Sequence, residues 1–495
     1  MNRLKLTYLS LMLMPLTAAA ALPDSALVEH TALPRLPAAD TELNPALHGA
    51  AYRYSYSQLA AGIDLQRQTE AFVQQMGSGY TLPYAQVNTF LRLSAKTAVW
   101  GAASYTTGNR QDVKWNSTSD YTLLEPYVLA DTLGGDTRQE RYCFAGGYAT
   151  QTGRWLLGAE MLFRAEQEYR NRDPRMRGVV TDLTMRLGAG RQTDRYRLGA
   201  AAEANVYRQT NSVTFYSEEG VIPEYQMTGL GTEYSRFSGD KRSLYYDGGG
   251  VGCMLSAVPA DGRGFYAHLV ADEHRYHRKL AEYNSMPLTD LYNEHAGMTA
   301  GWRGSRWAAF AHGGYTRRTG DEHIGGTSDA RYFPTIGTLS MYKHRQKEAS
   351  AGALYNHSEL TLMVCGGYKS SSEEYAYPGR QMDYSSIRGE LKGQYLLHAG
   401  RPLMLQVNAL LAYEGNVGGK ILMPYANMTA SFSQMVNHRY DYATANYTHA
   451  SASLRADYRR RDSSYGYFAQ IGGSMVFCSM GEHQTTLQGM IGITF

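Results

Sequence analysis

The chain has 495 residues, with 48 Lys and Arg against 45 Asp and Glu and a net charge of +3. So even a balance excludes a protein that binds polyanions through a broadly basic surface, and no nucleic-acid partner is expected. The 40 Tyr, 51 Gly, 15 Pro and 4 Cys exclude a small disulfide-stapled domain. At this length two or three globular domains would fit, but no Pro/Ser-rich linker or compositional break divides the chain.

At the N-terminus, Arg3 and Lys5 precede an apolar run from Leu6 to Leu16, and the small residues Thr17 to Ala21 follow. This is the pattern of a secretory signal peptide. The run is shorter than the roughly 18 residues that would span a bilayer, and no cysteine near the cleavage region suggests lipidation. The expected organisation is a signal peptide at 1–21, a periplasmic N-terminal segment at 22–50 and a transmembrane β-barrel at 51–495.

From residue 51 onward the chain alternates with period two, the signature of strands with two unlike faces. In "RWLLGAEMLFRAE", Trp155, Leu157, Ala159, Met161 and Phe163 share one face, and Gly158, Glu160, Arg164 and Glu166 the other. In "RYRLGAAAEANVYR", Leu198, Ala200, Ala202, Ala204 and Val206 oppose Arg197, Gly199, Glu203 and Asn205. "SIRGELKGQYL" sets Ile387, Leu391 and Tyr395 against Arg388, Glu390, Lys392 and Gln394, and "PLMLQVNALLAYE" sets Leu405, Val407, Ala409 and Leu411 against Gln406 and Asn408.

A soluble sandwich would alternate as well. Three features favour an outer-membrane barrel: the segments are long, Tyr and Trp cluster toward their ends, and short turns alternate with long polar loops. The short turns are "SAKT" (94–97), "TQTG" (150–153), "GRQT" (190–193), "PADGRG" (259–264), "RGS" (303–305), "NHS" (356–358), "HAGR" (398–401) and "RRDSS" (460–464). A leading strand near 52–65, hairpins across these turns and a last strand ending at Phe495 predict an all-β, closed antiparallel transmembrane barrel. About 18 strands are expected, an even number with both termini in the periplasm. Segments 68–75 and 421–434 alternate weakly, which leaves 14 or 16 strands as alternatives.

The chain closes on "LQGMIGITF", where Leu487, Gly489, Ile491 and Ile493 share a face. An apolar terminal strand has to be paired and covered, and pairing with the first strand does both. The terminal aromatic Phe495 is expected to sit at the interface and to serve as an assembly signal for the barrel-assembly machinery. Cys143, Cys253, Cys365 and Cys478 are far apart, each within an alternating segment, and read as isolated small apolar residues.

The first long loop, 108–136, is different in kind: Trp115, Tyr121 and Tyr127 are interspersed with Asp120, Asp131 and Asp136. It is expected to stack on a sugar or fold inward as a constriction, or else to cap the barrel rim, since long loops on rigid scaffolds often carry function.

Catalytic and metal chemistry find little support. His268, Asp272 and His274 in "AHLVADEHRYHRK" would share one side of a strand and His277 the other, but the strand rise spreads them too far for one ion. They read as polar lumen residues. No GxSxG elbow is present, and "DGGGVGC" (247–253) lacks the following Lys-Ser/Thr and helix of a phosphate loop. No enzymatic activity, metal or cofactor is expected.

The stretches "VKWNSTSDYTLLEPYVLADTLGGD" (113–136), "CFAGGYA" (143–149) and "EYRNRDPRMRG" (168–178) resemble an uncharacterised family of outer-membrane β-barrel proteins of Gram-negative gut and oral bacteria. The resemblance covers most of the mature chain. It implies the fold and the outer-membrane location, and no catalytic residues. The functional expectation is a channel or transporter for a small-molecule solute, bordered by outer-membrane lipid and lipopolysaccharide. Its lumen candidates are Glu160, Arg164, Arg197, Glu203, Arg388, Glu390, Lys392, Gln406 and Asn408. The alternative is a surface scaffold or secretion-associated barrel with a plugged lumen. A TonB-type transporter is disfavoured because 22–50 is short for a plug domain.

Overall fold

The computed structural model describes residues 23–216, 224–234, 243–281, 285–327, 333–398, 402–424, 428–460 and 463–495. The proposed signal peptide and the tips of the turns at 399–401 and 461–462 lie outside the described residues.

Among the described residues twenty-one strands occur in chain order, eighteen of them in one sheet. They begin with β1 (Tyr56–Gln68), β2 (Gly79–Arg92), β3 (Thr97–Val113), the short β4 (Leu129–Ala130), β5 (Gly135–Thr152), β6 (Trp155–Tyr169), β7 (Arg175–Gln192) and β8 (Tyr196–Thr214). The short β9 (Tyr225–Gly229) and β10 (Thr232–Glu233) precede β11 (Ser243–Pro259), β12 (Gly264–Leu280), β13 (Met286–Arg303), β14 (Trp307–Gly325) and β15 (Thr335–His357). The rest are β16 (Leu360–Tyr375), β17 (Arg380–His398), β18 (Leu403–Leu422), β19 (Tyr447–Arg459), β20 (Gly466–Cys478) and β21 (His483–Thr494).

Every barrel strand pairs antiparallel with its neighbours along the chain, and β1 closes the sheet on β21 in the register Leu65↔Leu487, Ala61↔Ile491, Gln58↔Thr494. Ser57 and Phe495 exchange reciprocal backbone hydrogen bonds of 3.0 Å, so the last residue extends the final ladder. Closure leaves no unpaired edge, the condition for a sheet in hydrocarbon. The fold is thus the closed all-β transmembrane barrel read from the sequence, with the expected eighteen strands rather than the alternative 14 or 16. Among the described residues neither weak segment is a barrel strand of its own: 68–75 leads into a 3₁₀ turn at Gln74–Met76, and in 421–434 β18 ends at Leu422 and a helix, Ala430–Ala443, begins, with 425–427 outside the described residues.

The period-two faces sort as the pleat requires. Leu187, Val251, Leu411, Ile471 and Ile491 are exposed on the outer surface, forming its apolar band. Trp155, Phe265, Trp307 and Tyr467 project outward where strands leave the short turns, a ring of aromatics at one end of that band. Strands of 12 to 23 residues exceed the roughly 9–11 needed to cross a bilayer, and the excess rises at the long-loop end.

An arginine at an outward mid-strand position must enter hydrocarbon. Leu411→Arg is therefore expected to destabilise the folded barrel by about 2–4 kcal/mol, and Asn408→Arg, on the inner face of the same strand, by much less. Urea unfolding in lipid vesicles measures both, and equal losses would overturn the assignment of the two faces.

Candidate functional site: a lumen filled from both ends

Residues before β1 enter the barrel at the short-turn end. They form α1 (Pro23–Thr31), a 3₁₀ stretch (Leu33–Leu43) and the short α2 (Pro45–His48). Prolines at 34, 37 and 45 keep the helices short. Thr31 Oγ1 donates to Gln406 at 3.0 Å and the Leu33 amide to Gln394 at 2.9 Å, on β18 and β17. The 3₁₀ stretch lies along β11 to β13, where Tyr266 donates to the Pro37 carbonyl (3.0 Å) and Thr299 to Asp40 (2.6 Å). The α2 turn then rests on β6, β7 and β8, half-way round the barrel from β17 and β18. The segment is a strap across the lumen.

Glycine decides where the strap lands. A Cβ at Gly188 would stand 2.3 Å from Asn44 Oδ1, and one at Gly158 would stand 2.4 Å from the Pro45 backbone. The fully buried Asn44 caps α2 by accepting the Ala46 amide at 3.0 Å. On the wall above β1 and β2, His30 stacks on Tyr52 (4.0 Å between centroids) and Tyr56 (5.0 Å), and His48 packs against Trp100 (4.6 Å). Arg35 lies over the Tyr52 ring and pairs with Glu42.

The long-loop half of the lumen is filled by a second body. Residues 114–134, carrying α3 (Tyr121–Leu124), turn inward and meet 224–234 and α4 (Ala430–Ala443) in an apolar core that includes Trp115, Leu124, Tyr127, Leu129, Leu230, Phe432 and Val436. Within it β4, β9 and β10 make a three-stranded sheet. Trp115 and Tyr225 pack edge-on to Phe432 at 5.4 and 5.0 Å. Wall glycine again makes room, since a Cβ at Gly320 would stand 2.1 Å from the Tyr127 hydroxyl.

Charges pin this body to the wall. Arg164 grips Asp120 with two hydrogen bonds of 2.7 Å, and the same guanidinium reaches Glu166 and Asp182 at 3.1 Å. Arg170 meets Asp131 at 2.8 Å with both side chains fully buried. Removing one partner of such a pair costs about 3–5 kcal/mol, because the other is left buried and uncompensated. Arg278 donates to the carbonyls of Met227 (2.9 Å) and Val128 (3.2 Å). Of the other loop residues singled out, Tyr121 lies in α3, its phenol raised above the ordinary range by burial and then by Glu125. Asp136 is at the rim and accepts the Asp112 amide at 3.0 Å.

The lumen candidates divide into separate groups. Glu160 and Glu203 are joined through Arg186 at 3.1 and 2.6 Å, beside Arg164 on β6 to β8. Arg388, Glu390 and Lys392 form a chain of ion pairs on β17 (3.3 and 2.9 Å). Next to them Gln406 holds the strap, and Asn408 bridges Gln394 and Ser453 at 3.0 and 3.2 Å. Arg197 stands apart at the short-turn mouth and donates to the Ala260 carbonyl at 3.0 Å. Between the strap and the wall of β17 to β21 a cavity of about 660 Å³ remains, lined by Gln394, Gln406, Asn408, Ser453, Gln470 and Thr486 among others.

The histidines of β12 are drawn into different contacts. His268 is buried against Ser256 (2.9 Å), Asp272 lies between His274 (3.4 Å) and His295 (2.9 Å), and His277 pairs with Asp290 (2.6 Å). Among the described residues no group of three or more His, Cys, Asp or Glu is placed to hold a metal ion. All four cysteines are unpaired.

Sequence reading missed Arg170, Arg186, Arg278 and the α4 plug. The last had a signal: Thr429 before Phe432, Met435, Val436 and Tyr440 is an N-cap followed by helical apolar spacing. The partners of the arginines have none, because they lie on other strands or in loops.

This is a large closed membrane barrel filled by its own loops and N-terminal strap. By sequence the chain belongs to the family described as "Family of unknown function (DUF6850)", whose pattern matches residues 45–495. No curated protein matches it. Among solved structures it is similar to BauA, the ferric preacinetobactin receptor of Acinetobacter baumannii, with 8% identity, a TM-score of 0.45, and 90% of this chain and 80% of that chain covered. It is also similar to the unliganded ferric citrate transporter FecA (10%, TM-score 0.44, 89% and 78%) and to the CymD monoaromatic hydrocarbon channel (10%, TM-score 0.33, 92% and 91%). At these values the likeness carries nothing about cargo.

Docking of the strap is expected to depend on pH. Burial lowers His30 and His48 below the ordinary histidine value of about 6.5. His30 faces Glu29, Arg35 and His48, and His48 faces Glu42, Glu160 and Arg35. Both histidines bind protons less readily docked than displaced, so docking is fully present above about pH 6.5 and weakens as pH falls below it. Limited proteolysis of 23–50 in the folded barrel should speed up at about pH 5, and His30→Phe with His48→Phe should flatten the response. Cleavage that ignores pH in the parent protein would disprove the clamp.

Proposed function

We propose that this chain is an integral outer-membrane barrel that passes a small polar solute, with its lumen closed by strap and loops until a rearrangement opens it. The apolar band, the aromatic ring and the asymmetry of turns and loops support an outer-membrane setting in which lipid and lipopolysaccharide surround the barrel and the short turns face the periplasm. The observation that carries transport is the cavity of about 660 Å³ beside the strap. Its amides and hydroxyls can exchange hydrogen bonds with a passing solute, whereas the charges on β6 to β8 are consumed in ion pairs. Such a lining suits polar cargo and adds no preference for ion sign of its own. No catalytic step is proposed.

One observation favours a second reading, a permanently sealed scaffold or secretion-associated barrel. The plug at the long-loop end is a true apolar core, in which Leu124, Leu129, Leu244, Leu280 and Leu288 are at most 1% exposed. Proteoliposomes separate the two readings. Uptake of small sugars or amino acids by the parent protein above protein-free vesicles supports transport. A silent parent beside a leaking variant that lacks 116–130 supports the scaffold.

Phe495 is proposed as the residue that the assembly machinery reads. It sits half-exposed beside Tyr465 (6.3 Å between centroids), so it contributes little to a structure held by eighteen paired strands. Deleting it is expected to lower the yield in the outer membrane far more than the stability of the barrel refolded in detergent. Normal surface yield in membrane fractions would remove that role.

A further inference from the structure

We propose that the short-turn mouth of the lumen binds a small anionic solute, one carrying phosphate or carboxylate groups, through Arg53, Arg92, Arg197 and Arg303. This deepens the transport reading, on which it rests for its biological meaning, by naming the charge of the cargo.

The mouth holds a cavity of about 780 Å³ between the strap and the turns of the barrel. Six cationic residues line it, Arg35, Arg53, Arg92, Lys96, Arg197 and Arg303, against the carboxylates Glu29 and Asp261. Both carboxylates are occupied by backbone. Glu29 accepts the amides of Arg53 (2.9 Å) and Tyr54 (3.0 Å), and Asp261 accepts that of Arg263 (3.0 Å). Arg35 has Glu42. Among the described residues none of the other five cations forms an ion pair.

Elsewhere in the lumen six arginines are matched by acids, although Arg278 is held by the carbonyls of Met227 and Val128. Arg141, Arg164, Arg170, Arg186, Arg388 and Arg455 each face a carboxylate. At the mouth, Arg92 donates to the carbonyls of Gly49 and Tyr52 (3.0 Å each) and Arg197 to those of Ala50 (3.4 Å) and Ala260 (3.0 Å). The carbonyls of Gly49, Ala50 and Tyr52 follow α2, so the two arginines also anchor the end of the strap, and Ala260 ties Arg197 to the turn between β11 and β12. Anchoring explains their orientation but leaves their charge uncompensated, and it leaves Arg53, Lys96 and Arg303 without a role. Like charges gathered in a partly enclosed space repel one another, and an anion relieves that repulsion. Guanidinium groups also match the paired oxygens of phosphate and carboxylate with bidentate hydrogen bonds. The walls and the strap limit the occupant to a small molecule.

Isothermal titration of the full chain in detergent tests the site, with glucose 6-phosphate and succinate as anionic probes and glucose as the neutral control. Saturable binding of at least one anion and none of glucose is expected. Arg53→Gln with Arg303→Gln, neither of which loses a side-chain hydrogen bond seen here, should weaken binding roughly tenfold or more. Arg177→Gln, exposed at the far end of β7, should not. Should the double variant fail to fold, protection of Arg53 and Arg303 from dicarbonyl modification by the bound anion serves in the parent protein. No saturable anion binding, unchanged binding in the folded double variant, or modification that the anion does not slow would each overturn the site. Anion binding without vesicle flux would keep the site and sink transport, whereas flux of neutral sugars without anion binding would do the reverse.

Discussion

Everything in this protein follows from the requirement that backbone amides and carbonyls in hydrocarbon find partners within the protein. The sheet meets it by closing β1 on β21, with Ser57 and Phe495 completing the seam. Closure at eighteen strands has a geometric consequence, because barrels of roughly 16 to 18 strands enclose a space that wall side chains alone do not fill. The chain supplies the filling from segments outside the ladder.

Those segments use different physics at the two ends. The strap is short, rich in proline and held mainly by hydrogen bonds and ring contacts, with Asn44 set against Gly188 and His30 stacked on Tyr52. The loop plug has an apolar core of its own and is fastened by buried ion pairs such as Arg170 with Asp131. A contact set built on polar groups and histidines exchanges readily for water and responds to protons, whereas an apolar core releases only at the cost of exposing its surface. The strap is therefore the more readily moved of the two closures. The polar cavity beside it and the unpaired cations at its mouth lie along the path that its displacement would widen.

The glycines tie wall to filling. Gly158, Gly188 and Gly320 lie inside regular strands, where glycine weakens pairing and offers nothing to pack. Each stands where another part of the chain approaches within a Cβ's reach. The stability given up in the ladder is returned as close contact between barrel and plug.

What the sequence by itself determined was the side on which each residue falls. Period two assigned Leu411 to lipid and Asn408 to the interior, and the short turns between alternating segments counted the strands, since pleat and hairpin are local properties of the backbone. The neighbour of an inward residue is not local. Asp120 meets Arg164, and Thr31 meets Gln406 across 375 residues of chain, only because closure brings distant strands round one lumen. That Trp115 and Tyr127 are core residues of a plug, that residues 23–50 cross the barrel, and that Arg197 and Arg303 share a mouth were settled by the tertiary structure. Alternation gives a side chain its direction, and only the closed barrel determines what stands opposite.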